Sequence, residues 1–281
     1  MRDLVTTDWL ARHLGDPALR IVDVRWYLDS ARKGRDAYAA GHIPGAVFLD
    51  VDADLSAPGG GRGRTSGRHP WPPAEQVSRV MGRAGIGRGT RVVAYDDQAG
   101  AVAARLWCLL RAHGHDDVAV LDGGLAKWTA EGRPLDADVT SVAPATFDAR
   151  LRPGFVLTKA DMLARDPARP LLDARAPERY RGKTEPIDPR AGHIPGARSA
   201  PFSGNLTGGP SPVFLPPAEL RRRYAGLGAE SAAPVVYCGS GVTACHDLLA
   251  LHLAGLPGSL YAGSWSEWSA DESLPVETGE R

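Results

Sequence analysis

The chain repeats itself, and the repeat limits what it can fold into. Arg20-Ile21-Val22-Asp23-Val24-Arg25 returns as Pro170-Leu171-Leu172-Asp173-Ala174-Arg175, and Gly41-His42-Ile43-Pro44-Gly45-Ala46 returns unchanged at residues 192–197. Val92-Val93-Ala94-Tyr95-Asp96 is echoed by Pro234-Val235-Val236-Tyr237-Cys238. Asp122-Gly123-Gly124-Leu125-Ala126-Lys127-Trp128 is echoed by Ala262-Gly263-Ser264-Trp265-Ser266-Glu267-Trp268. Four blocks in unchanged order, at offsets between 140 and 151 residues, mark a tandem duplication. Such a period is too long for a solenoid and suits two similar domains. They are expected at 1–140 and 154–281, with 141–153, rich in Ala, Pro and Ser, as the linker.

Each half alternates short apolar runs with helical patterns. Ile21 to Val24 and Arg91 to Tyr95 are short, β-branched and bounded by turn residues, hence strands. Ala74 to Ala84 and Ala101 to His113 have helical periodicity, and Thr7 is placed to cap a helix over Asp8 to Leu14. Thr158-Lys159-Ala160-Asp161 has the form of a capping box. Strands alternating with helices predict an α/β fold: two tandem domains, each a mainly parallel sheet flanked by helices.

Thirty-three basic and 33 acidic residues cancel, which argues against a general nucleic-acid or anionic-membrane binder; any anion recognition must be local. The N-terminal stretch has no apolar run long enough for a signal peptide or membrane helix. Three cysteines without a CxxC pair make neither a disulfide framework nor a four-thiolate zinc site, so a reducing cytoplasm is the expected compartment. No metal or organic cofactor is suggested.

Cys238 is the chemical candidate. It follows the apolar run Val235-Val236-Tyr237 and precedes Gly239-Ser240-Gly241-Val242-Thr243, after which apolar residues at 245, 248, 249 and 253 have helical spacing. It therefore sits where a strand ends and a helix begins. Two glycines let the backbone curl so that N–H groups point inward, and with the helix N-terminus they favour an anion there: a thiolate, a persulfide or a substrate charge. At the same place in the first half stands Asp96, so one half is chemical and the other supporting. Cys108 and Cys245 lie within helical patterns and are expected in the core. His42 and His193 recur in both halves, although only one has the nucleophile, and are expected to be structural. Ala244, standing where the arginine of a Cys-x5-Arg phosphatase loop should be, argues against that reading.

These motifs resemble those of the rhodanese superfamily, specifically its tandem-domain thiosulfate and 3-mercaptopyruvate sulfurtransferases. Tyr38-x3-His42-Ile43-Pro44-Gly45-Ala46 is similar to the N-terminal signature and Tyr261 to Trp268 to the C-terminal one, with Ala262 where Asp is more usual. An aspartate in the nucleophile position of the first domain fits the same pattern. The resemblance implies sulfur transfer through a Cys238 persulfide. Cys-Gly-Ser-Gly-Val-Thr lacks the basic residues of the thiosulfate type and resembles the 3-mercaptopyruvate branch. That branch implies Arg181 and Arg190 as ligands of the substrate's carboxylate and carbonyl, and Gly239, Gly241, Val242 and Thr243 as the persulfide cradle. It also implies a proton relay of Ser240, His69 and Asp52. Ser56 to Arg68, with its run of Gly and Arg, has the character of an insertion.

The implied partners are a small sulfur donor and a thiol or cyanide acceptor, thioredoxin among the candidates, with no nucleic acid or membrane and a monomer as working unit. Two alternatives stay open: thiosulfate:cyanide sulfurtransferase, and a non-catalytic persulfide carrier or interaction module.

Overall fold

The computed structural model describes residues 2–29 and 31–280. The chain forms two compact units: Met1–Leu55, Pro72–Leu151 and Thr207–Phe214 in the first, and Ser56–Trp71, Arg152–Leu206 and Leu215–Arg281 in the second. The units follow the two repeats except for two exchanged segments, 56–71 and 207–214. Within the first unit, the Phe214 N–H donates to Asp122 Oδ1 at 2.9 Å, which ties the 207–214 segment down.

Each unit is built on a five-stranded parallel sheet. In the first, β1 (Leu4–Val5), β2 (Leu19–Asp23), β3 (Ala46–Phe48), β4 (Arg91–Tyr95) and β5 (Val118–Leu121) lie in the order β1-β5-β4-β2-β3. In the second, β6 (Val156–Leu157), β7 (Leu171–Asp173), β8 (Ala197–Ser199), β9 (Val235–Tyr237) and β10 (Ser259–Tyr261) repeat it as β6-β10-β9-β7-β8. Helices α1 (Thr7–Arg12), α2 (Gly34–Ala40), α3 (Ala74–Arg83), α4 (Ala103–Ala112) and α5 (Gly124–Ala130) belong to the first repeat. α6 (Lys159–Leu163), α7 (Pro177–Tyr180), α8 (Pro217–Gly226), α9 (Ala244–Leu253) and α10 (Ser264–Trp268) belong to the second. The central strands are buried along their lengths, as a parallel sheet covered on both faces requires. This is the α/β architecture expected from the sequence.

Helix ends show where the local signals were sufficient. Thr158 and Asp161 form the reciprocal capping box at α6. At α1 the cap is Thr6, whose Oγ1 accepts the Trp9 N–H at 3.1 Å, while Thr7 lies one residue inside the helix. Adjacent threonines carry the same capping chemistry, and the backbone selects the one with extended φ/ψ.

The repeated blocks meet at the carboxyl end of each sheet. In the first unit the buried Asp23 carboxylate is gripped by Arg25, whose Nη2 also donates to the Gly41 carbonyl at 2.8 Å. Tyr95 Oη donates to Asp23 Oδ2 at 2.8 Å and accepts the Ile43 N–H at 3.1 Å. Asp173, Arg175, Gly192, Tyr237 and Ile194 make the same set in the second unit. One ion pair thus holds the Gly-His-Ile-Pro-Gly turn and the tyrosine that ends the loop-bearing strand. Burial, then the neighbouring Asp173 charge, push the Tyr237 phenol well above its usual range, so it stays a donor. His42 and His193 complete the turns. Their Nδ1 atoms bond to the Tyr38 and Tyr180 carbonyls at 2.9 and 2.7 Å, and their rings stack on those tyrosines at 3.8 and 3.9 Å.

Removing one member of such a pair leaves a buried charge uncompensated. Asp23→Ala is expected to cost about 3–5 kcal/mol, read as an earlier denaturant midpoint for the first unit; a loss within experimental error would contradict this role for the pair.

Candidate active site

The second unit's loop follows β9 and runs from Cys238 to Thr243 into α9. Gly241 has φ +76°, which a side chain rarely adopts, and turns its N–H back onto Cys238 Sγ at 3.1 Å. The C-terminal block closes over the loop from behind: Trp265 N–H donates to the Cys238 carbonyl and Ser266 N–H to the Gly239 carbonyl, both at 2.9 Å. Buried Ser264, itself at φ +55°, accepts the Cys238 N–H through Oγ at 3.2 Å. Cys245 donates its thiol to the Gly241 carbonyl at 3.3 Å from within α9, so it packs in the core and also steadies the turn.

The first unit supplies an internal template for this loop. Both Asp96 carboxylate oxygens are taken up by backbone N–H groups: Gln98 at 2.8 Å, Gly100 at 2.9 Å, Val102 at 2.7 Å and Ala103 at 2.7 Å. Burial raises the Asp96 carboxyl above its usual value, and those four N–H groups oppose the shift. Aspartate Cβ–Cγ–Oδ and a cysteine persulfide Cβ–Sγ–S reach equally far in bonds.

Segment 56–71 is folded onto this loop. It is drawn tight by Ala57 N–H to the Pro70 carbonyl at 2.9 Å and Gly61 N–H to the Gly67 carbonyl at 3.1 Å. Arg68 N–H donates to Ser266 Oγ at 3.0 Å, and a Cβ on Gly67 would come within 3.0 Å of the Gly263 carbonyl oxygen, so glycine is needed there. The segment delivers His69, which is buried with Nδ1 2.8 Å from Ser240 Oγ. Cys238, Ser240 and His69 are thus brought together in one unit. Asp52 belongs to the first unit, where Trp26 Nε1 donates to its Oδ2 at 2.9 Å.

The two arginines expected at the substrate both have partners within the second unit. Arg190 is committed to four carbonyls: Ser269 and Leu274 at 2.8 Å, Trp268 at 3.0 Å and Asp271 at 2.6 Å, where it finishes the end of α10. Arg181 pairs through Nε with Glu280 at 2.6 Å. The guanidinium groups beside the loop are instead those of Arg68 and Arg179. A Cβ on Gly239 would lie 2.7 Å from Arg68 Nη2 and 3.4 Å from Arg179 Nη1. Arg179 lies within α7, two residues before Arg181, which caps that helix, and Arg68 directly precedes His69. Both were legible as cations near chosen residues, but spacing alone did not rank them.

Rhodanese-like domains match residues 6–131 and 158–271. The chain belongs to the rhodanese family. It is similar to the "Probable 3-mercaptopyruvate sulfurtransferase" of Pseudomonas aeruginosa, 46% identical over 99% of this chain and 98% of that one. SseB of Mycobacterium tuberculosis, named for thiosulfate, is 40% identical over 94% of this chain and 92% of its own. Among solved structures, 3-mercaptopyruvate sulfurtransferase from Leishmania major superposes with a TM-score of 0.84 at 31% identity, covering 98% of this chain and 76% of that one. This rhodanese is accordingly a sulfurtransferase.

Behind the loop, α9 carries a second buried polar cluster. Asn205 Nδ2 donates to Asp247 Oδ1 at 2.6 Å, while Asn205 Oδ1 accepts from Arg223 and Tyr224. Burial lifts the Asp247 carboxyl from 3.8 to about 7, against the opposing charge of Arg223 and the bond from Asn205. The native state therefore holds this proton more tightly than the unfolded chain. Its contribution to stability is complete below about pH 4 and is lost as pH rises towards and through 7. Asp247→Asn is expected to shrink the fall in melting temperature between pH 5 and pH 8; an unchanged fall would show that another group sets it.

Proposed function

We propose that this rhodanese takes a sulfur atom from 3-mercaptopyruvate onto Cys238 and passes it to a thiol or cyanide acceptor. The observation that carries this reading is the placement of Cys238 Sγ in an N–H-lined turn at the start of α9, beside the Ser240–His69 pair. In the first half-reaction the Cys238 thiolate attacks the donor's sulfur and the C–S bond breaks. The electron pair leaves on carbon as the enolate of pyruvate, which takes a proton at that carbon. Ser240 and His69, 2.8 Å apart, would handle that proton. N–H groups of Gly239, Gly241, Val242 and Thr243 hold the persulfide, and Arg179 takes the donor's carboxylate through its planar fork. An acceptor then attacks the outer sulfur and releases the Cys238 thiolate. Two half-reactions on one nucleophile give ping-pong kinetics.

Thiosulfate is the second reading, because guanidinium groups at Gly239 also suit a dianion. Three free thiols accord with a reducing cytoplasm, where thiol carriers of the thioredoxin kind are available as acceptors.

Cys238→Ser is expected to abolish turnover with every donor. The wild-type kcat/KM is expected to be clearly higher for 3-mercaptopyruvate than for thiosulfate with one common acceptor. A preference for thiosulfate would overturn the donor assignment and leave Cys238 standing; turnover by the serine variant would remove the mechanism itself.

A further inference from the structure

Beside the loop, six buried or part-buried charges alternate in a row. Asp173 pairs with Arg175 at 2.6 Å, Arg175 with Glu185 at 3.2 Å, Glu185 with Arg179 at 2.7 Å and Arg179 with Asp188 at 3.1 Å; Asp188 then pairs with Arg68. The interior members each touch two opposite charges. Among the described residues, the carboxylate that Arg68 pairs with at the open end is that of Asp188. Its side chain is 9% exposed and that of Asp188 is 0% exposed. Among the described residues Arg68 Nε is buried without a hydrogen-bond partner, and its bond to Asp188 uses Nη1, which leaves Nη2 directed at Gly239. Arg179 likewise spends Nε and Nη2 on Glu185 and Asp188, which leaves Nη1 on the Gly239 side.

A guanidinium taken out of water with one pairing carboxylate and unspent donors is costly unless a second anion completes it. Asp188 sets the two forks by accepting one nitrogen from each, Arg68 on Oδ1 and Arg179 on Oδ2, so their remaining nitrogens converge beside the residue after the nucleophile. The alanine-sized space at Gly239 is what they occupy. In the first unit the corresponding Asp97 is tied to the Tyr27 hydroxyl and Arg32, and the buried row there stops at Asp23 and Arg25.

We propose that Arg68, delivered by segment 56–71, is a specificity-determining residue that takes the anionic end of the sulfur donor together with Arg179, and that Asp188 is the positioning residue that aligns the two. This rests on Cys238 as the nucleophile and deepens that reading, since it gives the Gly/Arg-rich segment a role: it carries both the relay histidine and half of the anion clamp.

The test uses two alkylating probes of nearly equal size, iodoacetate and iodoacetamide, on the full-length protein, with modification of the Cys238 peptide followed by mass spectrometry. The ratio of the two rates reports whether a carboxylate is drawn to Cys238, whichever donor the enzyme uses. Arg68→Gln is expected to lower that ratio about tenfold, as for loss of one charge-assisted hydrogen bond; a change in thiolate fraction affects both probes alike and cancels in the ratio. Arg68→Gln combined with Asp188→Asn removes both charges of the pair and guards against unfolding around a stranded Asp188. It should show the same fall. Ratios within twofold of wild type in both variants would overturn the proposal. If wild type prefers thiosulfate while the ratio still falls with Arg68, the donor assignment fails and the role of Arg68 stands.

Discussion

A buried aspartate at the carboxyl end of one strand, paired with the arginine two residues on, organises each half of this molecule. Asp173 and Arg175 hold the Gly192 carbonyl and the Tyr237 hydroxyl, and Tyr237 holds the Ile194 N–H. The tyrosine is the residue before Cys238, so the pair fixes the point from which the loop departs. Nothing in this frame is reactive. Its effect is to make the position of the next residue a consequence of packing and hydrogen bonding, which is what a nucleophile held by backbone dipoles requires.

Because the frame occurs twice, the two halves separate support from chemistry. With Asp96 in the loop, a carboxylate fills the N–H cradle permanently and the loop is complete without a ligand. In the loop that begins at Cys238, the Gly241 N–H is turned onto sulfur. The duplication then diverges at its margins. The second unit gains segment 56–71, with Arg68 and His69, and extends the Asp173–Arg175 pair into a longer row through Glu185, Arg179 and Asp188.

Much of this was legible in the residues. The repeated blocks specified two α/β units because each is a strand end, a turn or a helix start whose residue types have few alternatives: a buried Asp-x-Arg, a Gly-Pro-Gly turn, a glycine-rich step into a helix. His69 Nδ1 lies 2.8 Å from Ser240 Oγ. Proximity along the chain says less about which donors are already engaged. Arg181 and Arg190 bracket the polar loop as ligands should, yet Arg190 is saturated by the carbonyls that end α10 and Arg181 turns to Glu280. Arg68 is remote in sequence from Gly239, and only the folding of segment 56–71 onto the Gly263–Ser266 block brings it near. Spacing reports which residues share an element. It does not report which donors the backbone has already claimed.

The central claim is that Cys238 becomes a persulfide. It is tested most directly by mixing the purified protein with 3-mercaptopyruvate, with no acceptor present, and measuring the mass of the peptide that contains Cys238. The account predicts a gain of one sulfur atom on that peptide, reversed by cyanide, with Cys108 and Cys245 unmodified. An unchanged Cys238 peptide under conditions where pyruvate is formed would contradict it.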